Sequence, residues 1–170
     1  MRYRNRAVYF ASLAMVLAML AVAVYFLFFD SGAPRNFWDV CLALAVPGVV
    51  TWTLIRVGLT PYVEWGKGCI TVCNPFFTYR ASLGSVRLLG REGRGGAFKI
   101  EGIGVVLPWA MTRSIFDGKR ANAARRDLRH AVLTSKKGDP AFTSSRKARF
   151  GWFDLLIVPF AAALVWAFLP

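Results

Sequence analysis

Residues 69–81 read CITVCNPFFTYRA, in which two β-rich runs flank an Asn-Pro pair. The first run, Cys69–Cys73, contains the β-branched residues that strands favour, and Asn74-Pro75 is a turn signal directly after it. The second run, from Phe76 to Ala81, predicts another strand. We therefore expect an antiparallel hairpin in the middle of a small β domain.

Three more short apolar runs follow this hairpin. They lie at 86–89, 98–100 and 105–107, and a glycine-rich connection at 90–96 separates the first from the second. Several short strands punctuated by turns are typical of an antiparallel sheet or a partly closed barrel. The glycine-rich connection lacks the lysine and the following helix of a phosphate-binding loop, so we expect a hairpin tip there.

A helix is predicted after these strands, at 119–133. Apolar residues recur there at the spacing of one helix face; they are Ala121, Ala124, Leu128, Ala131 and Val132. The basic residues of the same stretch are Lys119, Arg120, Arg125, Arg126 and Arg129. The pattern predicts an amphipathic helix that closes the β domain, and we interpret its basic face as an interaction surface.

Three apolar blocks flank this domain in a chain of 170 residues, 56% of them hydrophobic. Residues 7–29 carry no charge and, at 1.5 Å per residue, are long enough to cross a hydrocarbon core of about 30 Å. The block at 37–55 contains Asp39, and the block at 152–170 contains Asp154 in its first turn, where we expect the carboxylate to reach headgroup water. We predict three transmembrane helices. The predicted packing stripe of the first is Ala7, Ala11, Ala14, Ala18 and Ala21.

The basic residues predict the orientation of these helices. The chain has 22 Lys and Arg against 9 Asp and Glu, and residues 56–151 hold 18 of the former against 6 of the latter, a net charge of +12. The positive-inside rule then places the N-terminus and residues 56–151 in the cytoplasm. Three crossings leave the C-terminus outside. The first block is longer than the apolar part of a signal peptide, so we expect it to be retained in a multi-pass plasma-membrane protein.

A resemblance to a known family is carried by the order of the middle segments. They run GCITVCNPFFTYRASLGSVRLLG, a glycine-rich hairpin, AFKIEG, IGVVLPWA and then ANAARRDLRHAV. In this order the chain resembles the bacterial pleckstrin-homology-like (PH-like) domain of small membrane proteins. The matching positions are Gly68, Ile70, Val72, Asn74-Pro75, Tyr79-Arg80, Val86 and the helix 119–133, and Leu83 departs from the pattern by replacing an aromatic residue. The resemblance implies a PH-like fold over about 65–133, with a groove between sheet and helix for a peptide strand or an anionic headgroup.

The basic residues also carry the strongest functional signal. Each Lys or Arg near an anionic leaflet contributes about 1 kcal/mol of attraction. The predicted headgroup contacts are Arg56, Lys67, Arg91, Arg94, Arg146, Lys147 and Arg149. These residues could equally serve to set the topology, and both roles stay open. Because the domain is tethered to a membrane, anionic lipid is favoured over nucleic acid as its polyanionic partner.

No residue pattern points to catalysis or metal binding. Cys69 and Cys73 share a strand face but lie about 13 Å apart, too far for a disulfide. The sequence offers only Cys41 and His130 as further soft metal ligands, and these do not make a zinc pattern. A catalytic histidine acts on a nucleophile, and the sequence contains no nucleophile motif such as Gly-x-Ser-x-Gly for His130. We therefore predict no catalytic residue, no metal and no cofactor.

These observations predict an α+β membrane protein in four parts. Residues 1–58 form a basic N-terminal segment with two transmembrane helices, which the short connection 30–36 joins as a helical hairpin. Residues 59–135 form a small antiparallel β, PH-like cytoplasmic domain, 136–151 a basic linker and 152–170 a third transmembrane helix. The predicted function is a non-enzymatic interaction or assembly module at the inner leaflet. Its expected partners are anionic lipids and a membrane protein or a second copy. The alternative is an accessory subunit of a transporter or secretion complex, which the acids in the apolar blocks favour.

Overall fold

The computed structural model describes residues 1–29, 37–89, 97–111, 119–135, 143–155 and 157–168. They belong to two compact units. Unit 1 comprises Met1–Tyr9 and Thr60–Arg149, and unit 2 comprises Phe10–Leu59 and Phe150–Pro170. The chain combines helices with antiparallel strands, which confirms the α+β class at this level.

All three apolar blocks contain helices. In chain order the helices in the described part of the chain are α1 (Arg6–Phe28), α2 (Phe37–Leu54), α3 (Lys119–Thr134), α4 (Trp152–Leu155) and α5 (Ile157–Phe168). A π-helical turn, Ile55–Leu59, follows α2. Pro47 lies inside α2 without ending it, as expected for a helix that packs against a neighbour. The described residues of the third block are those of α4 and α5.

Helix α1 is the candidate membrane segment of the described residues. It is the one helix among them that is long and apolar enough to cross a membrane. An 18-residue window of α1 has a mean hydropathy of 2.5, and 11% of that window is buried inside the structure. The core helix of a soluble protein would instead be buried all round. A signal sequence near an N-terminus shares these properties, so α1 has the length and composition of either kind of segment.

The close helix packing in the described residues of unit 2 is between α2 and α5, so the predicted hairpin of α1 with α2 is not shown. Helix α2 packs against α5, and Gly48 of α2 faces the ring of Phe160 so closely that a Cβ atom there would lie 2.7 Å from Cδ2 of the ring. The buried residues of α1 are Ser12 and Val16. The alanines of the predicted stripe of α1 are exposed, so within this chain they pack no helix, as expected if alanine is simply common in such a helix. Small residues permit close helix approach but do not require it.

The described residues of unit 1 form eight short strands in two antiparallel sheets. The strands are β1 (Arg2–Tyr3), β2 (Tyr62–Gly66), β3 (Cys69–Cys73), β4 (Phe77–Ser82), β5 (Val86–Leu88), β6 (Phe98–Ile100), β7 (Gly104–Val106) and β8 (Ser145–Ala148). The first sheet has the order β1-β2-β3-β4-β8 and the second β5-β6-β7. The predicted hairpin β3–β4 is present, with Val72 opposite Tyr79. Lys67 and Gly68 join β2 to β3 with φ of 50° and 76°, the two positive values of a type I′ turn.

The two sheets and α3 share one hydrophobic core. Its largest fully buried side chains include those of Ile70, Phe98 and Ile100. Helix α3 contributes Ala121, Ala124 and Leu128, all buried, while Ala131 and Val132 are partly buried. The predicted apolar face of this helix is therefore confirmed.

Three strands of the first sheet differ from the sequence-based expectation. Strand β2 was not predicted, although its buried Val63 and Trp65 alternate with exposed Glu64. Strands β1 and β8 lie where we expected a basic N-terminal segment and a basic linker. Both are short. Strand β8 is polar and is held by hydrogen bonds to β4 rather than by burial of its side chains, whereas β1 pairs with β2 and also packs Tyr3 against the core. Unit 1 thus includes residues on both sides of the expected domain 59–135.

Candidate interaction groove and basic surface

A groove of about 510 Å³ lies in unit 1 between α3 and the strands β5 and β6. Its floor is apolar, because the lining residues Val86, Phe98, Met111 and Leu128 are buried members of the core. The small residues of α3 that face the core let the helix lie near the sheet, and its longer side chains border the groove. A pocket of this size, apolar below and polar at its edge, is the usual form of a binding site.

The rim of the groove is basic. Its charged residues are Arg87, Glu101, Arg125, Arg126 and Arg129. Arg87 and Glu101 form an ion pair of 3.2 Å between exposed side chains, a kind of pair that adds little stability. Four cations against one anion leave a net charge of +3 around an apolar floor. The groove therefore favours an anionic partner that also carries apolar groups.

Arg125 is held in place by the segment that closes one side of the groove. Its Nη2 donates a hydrogen bond of 2.9 Å to the carbonyl oxygen of Met111, and its Nη1 donates one of 3.2 Å to Oδ1 of Asn122. Arg126 and Arg129 are exposed to solvent. One arginine thus shapes the wall, while two present charge to a partner.

The wall opposite α3 is the edge of a strand. Successive residues of a strand point to opposite faces of a sheet, yet the consecutive residues 86–89 all line the groove. Within the described residues β5 is an outer strand of its sheet, paired with β6 on one side. An extended peptide can add to such an edge through main-chain hydrogen bonds.

The predicted interaction helix is brought to this groove in part. Arg125, Arg126 and Arg129 line it, whereas Lys119 and Arg120 are exposed in the first turn of α3 and do not belong to its lining. Sequence periodicity located the basic face, but it could not show that β5 would lie beside one half of that face.

A second basic surface is formed by β8. The guanidinium carbon of Arg146 lies 3.9 Å from the ring centroid of Phe77, a cation–π contact. Lys147 is exposed on the other face of β8 from Arg146, and it pairs with Thr78 of β4. Arg149 donates a hydrogen bond to Sγ of Cys73 and is half-buried. Three of the predicted headgroup contacts are therefore neighbours at one edge of the first sheet.

The other predicted headgroup contacts are not brought to this edge. Lys67 lies in the β2–β3 turn, at the far end of the strands from Arg149, since Gly66 pairs with Cys69 and Tyr62 with Cys73. Arg91 and Arg94 lie outside the described residues. A single flat surface that touches Arg149 at one end of the strands does not touch Lys67 at the other.

Arg56, also predicted to contact headgroups, lies in a buried ion pair instead. Its side chain is 5% exposed and pairs with Asp154, which is 6% exposed, inside unit 2. Asp154 Oδ1 accepts hydrogen bonds from Arg56 Nε at 2.7 Å and from Trp52 Nε1 at 3.0 Å. The carboxylate therefore does not lie in headgroup water as we predicted. Arg56 is occupied by this pair, which does not fit a headgroup contact.

The same carboxylate also caps the start of α4. Asp154 Oδ2 pairs with Arg56 Nη2 and accepts the backbone N–H of Gly151 at 2.8 Å, as the third residue of a capping box does. Sequence reasoning missed this cluster. The sequence did contain a signal for this ion pair. Arg56 directly follows one apolar block and Asp154 lies at the start of another, on what would be the same side of a membrane.

The cysteines and the histidine are the residues that the sequence analysis weighed as metal ligands. Cys41 and Cys73 are buried, Cys69 is half-buried, and all three are free thiols. His130 is exposed on α3, as predicted. In the part of the chain that the structure describes, no three His, Cys, Asp or Glu side chains are grouped to hold a metal ion.

Comparison with known proteins adds no relative. No family model, no curated protein and no solved structure matches this chain. The PH-like interpretation therefore stays a prediction.

Proposed function

We propose that this chain is a non-enzymatic, multi-pass membrane protein whose unit 1 is a PH-like interaction module at the inner leaflet of the plasma membrane. The groove between α3 and β5 carries the proposal, because it joins an apolar floor, a basic rim and a strand edge. Its partner is an extended segment of a protein in which apolar and acidic side chains alternate.

The anchoring part of the proposal rests on the helices of unit 2. Large apolar side chains are exposed along α1 and α5, among them Leu17, Phe26, Val158 and Trp166. Lipid would cover these side chains, which are costly to leave in water. On this proposal α1, α2 and α4–α5 each cross the bilayer, and the surplus of cations in residues 56–151 keeps that region inside the cell.

The partner chemistry follows from the geometry of an added strand. Main-chain hydrogen bonds to β5 would fix the direction of the peptide, and its alternate side chains would point towards and away from the floor. Apolar side chains would then contact Leu88 and Val132, which line the groove and are only partly buried. Acidic ones would pair with Arg126 and Arg129 at the rim.

A binding measurement with defined peptides tests the groove. The full-length protein in detergent micelles is titrated into fluorescent peptides in which Asp or Glu alternates with Val or Leu, and fluorescence anisotropy is recorded. The double variant Arg126→Glu/Arg129→Glu is expected to lose about tenfold or more in affinity, since a hydrogen bond to a charged group contributes about 1.5–3 kcal/mol.

Lys119→Glu/Arg120→Glu is the matched control for this measurement. It makes the same change of net charge on the same helix, outside the lining of the groove. Equal losses in the two double variants would show that net charge alone attracts the peptides, and the groove would then be abandoned as the binding site.

Reporter fusions test the anchoring. A reporter that is active only outside the cell is expected to stay inactive when fused near Arg94 and to be active when fused at Gly32 or after Pro170. Activity near Arg94 would reverse the proposed orientation. Inactivity after Pro170 would remove the third crossing.

Anionic lipid is the second candidate partner, and β8 is the observation that favours it. Arg146 and Lys147 are both exposed on this strand. If headgroups bind there, Arg146→Glu/Lys147→Glu weakens cofractionation of a detergent-extracted chain with anionic vesicles, while Lys119→Glu/Arg120→Glu weakens it less. Equal effects would indicate attraction by total charge.

The accessory-subunit alternative draws less support from the structure. Acids inside apolar segments favour a pairing role, but Asp154 is paired with Arg56 of the same chain. Asp39 lies in the first turn of α2 and is exposed. Purification in mild detergent discriminates, because a stoichiometric second protein would support the subunit role.

A further inference from the structure

We propose that one end of unit 1 is a membrane-interface anchor, in which Phe76, Leu107 and Trp109 enter the headgroup region of the inner leaflet. This inference rests on the proposed function, since it takes the helices of unit 2 to be membrane-embedded. We call this surface the exit end, because the chain leaves unit 1 near it. It consists of residues 61–62, 73–77, 107–109 and 147–149. It is distinct from the groove, whose lining includes none of these residues.

The chain passes between the units near this end at each of its three connections. Pro61 directly precedes β2, whose first residue, Tyr62, pairs with Cys73. The amide of Arg149 donates a hydrogen bond of 2.8 Å to the carbonyl oxygen of Phe76. Strand β1 also runs towards this end, because Arg2 pairs with Glu64 and Tyr3 with Val63. Three connections to apolar helices therefore start from one end of unit 1.

The turns at the exit end are fastened to each other by one side chain. Asn74 donates from Nδ2 to the carbonyl oxygen of Leu107 at 2.9 Å and accepts the backbone N–H of Trp109 at 2.9 Å. Asn74 thus joins the β3–β4 turn to the segment after β7. Side chains carried on these two turns are held as a group.

Large apolar side chains are exposed on both turns. Phe76 is 50% exposed, Leu107 43% and Trp109 47%. Scattered apolar residues on a protein surface are ordinary, but these three are carried by two turns joined through Asn74. Tryptophan favours the membrane–water boundary, where its ring is apolar and its N–H is hydrated. The group has the composition of an interfacial anchor.

The charges at the exit end suit an anionic lipid surface. Lys147 and Arg149 lie there, and no Asp or Glu occurs in residues 61–62, 73–77, 107–109 or 147–149. Cations beside an apolar group let the ring enter the interface while ammonium and guanidinium groups contact phosphates. A bilayer leaflet fits this combination of side chains and lies where the connections to the apolar helices begin.

Depth-dependent quenching in vesicles tests the anchor. The full-length protein is labelled with an environment-sensitive fluorophore at Trp109→Cys or Phe76→Cys and reconstituted in vesicles of phosphatidylcholine and phosphatidylglycerol that carry a shallow nitroxide quencher. Lys67→Cys is the matched control, exposed at the far end of the same sheet. Leu17→Cys, exposed on α1, reports embedding of the helix itself. The labelled parent protein measures the background from its native cysteines.

The expected result is several-fold stronger quenching at the Trp109 and Phe76 positions than at Lys67, with the Leu17 label reached best by a deep quencher. A quenched Leu17 label combined with equal quenching at 109, 76 and 67 would overturn the anchor and leave the membrane helices in place. A Leu17 label that no lipid quencher reaches would overturn the proposed function itself. Labels at 109 and 76 that avoid lipid quenchers but self-quench at high protein density would assign the surface to a second copy and overturn the anchor.

Discussion

At the scale of single residues, the Arg56–Asp154 pair is the most consequential contact of unit 2. Replacing Asp154 by Asn keeps the shape of the side chain but leaves a guanidinium buried without its counter-charge. Removal of one partner of a buried ion pair costs about 3–5 kcal/mol. Asp154→Asn should therefore lower the free energy of unfolding by about this amount, measured by denaturant titration in micelles.

Two comparisons sharpen this prediction about Asp154. Asp127→Asn, on an exposed side chain of α3, should change stability by about 0.5 kcal/mol or less. The double variant Arg56→Met/Asp154→Leu should recover much of the loss, because it leaves no unpaired charge. If the double variant were as unstable as the sum of its single variants, the two side chains would not be coupled.

The close approach of Gly48 to Phe160 gives a second prediction at this scale. A methyl group at Gly48 would meet the ring at 2.7 Å, so Gly48→Ala must push α2 and α5 apart or tilt the ring. Such overpacking costs about 1–3 kcal/mol. Gly151→Ala is the control, since nothing lies within 4 Å of a Cβ atom there. Equal melting temperatures for the two variants would contradict the close packing, and Phe160→Leu should rescue Gly48→Ala.

At the scale of elements, β8 attaches to β4 through hydrogen bonds that recur at every second residue. Because the amide of Arg149 donates to the carbonyl oxygen of Phe76, the amide of Lys147 faces β4 and that of Arg146 faces away. Lys147→Pro should remove a ladder bond and raise hydrogen exchange in β4, whereas Arg146→Pro should disturb it less. Both variants remove one cation, so a difference between them reports the backbone. Equal exchange would place β8 in another register.

The elements also show which features of the fold could be predicted from the sequence. The β3–β4 hairpin and the amphipathic face of α3 were predictable because side-chain burial gives each a period that the sequence displays. Strand β8 has no such period: Arg146, Lys147 and Ala148 are all exposed. Strand β8 pairs through its backbone with the edge of β4, which lies far away in the sequence. Only the fold shows that β4 is its partner. The groove was implied by the family resemblance, but its strand-edge wall depends on where β5 lies beside α3.

At the scale of the whole molecule, unit 1 is assembled from segments separated by the apolar helices, and this has a consequence for any fragment of it. Residues 60–135 lack both β1 and β8, which leaves β2 and β4 as open edges of the first sheet. Exposed strand edges promote association between chains.

We expect fragment 60–135 to aggregate. Fragment 60–149, which restores the β4–β8 pairing, should remain more soluble and better protected in amide exchange. Fragment 60–149 carrying Lys147→Pro separates the effect of the strand from that of added length, since it should behave more like 60–135. A soluble, equally protected 60–135 fragment would show that β8 is an accessory to unit 1 and not part of its folding unit.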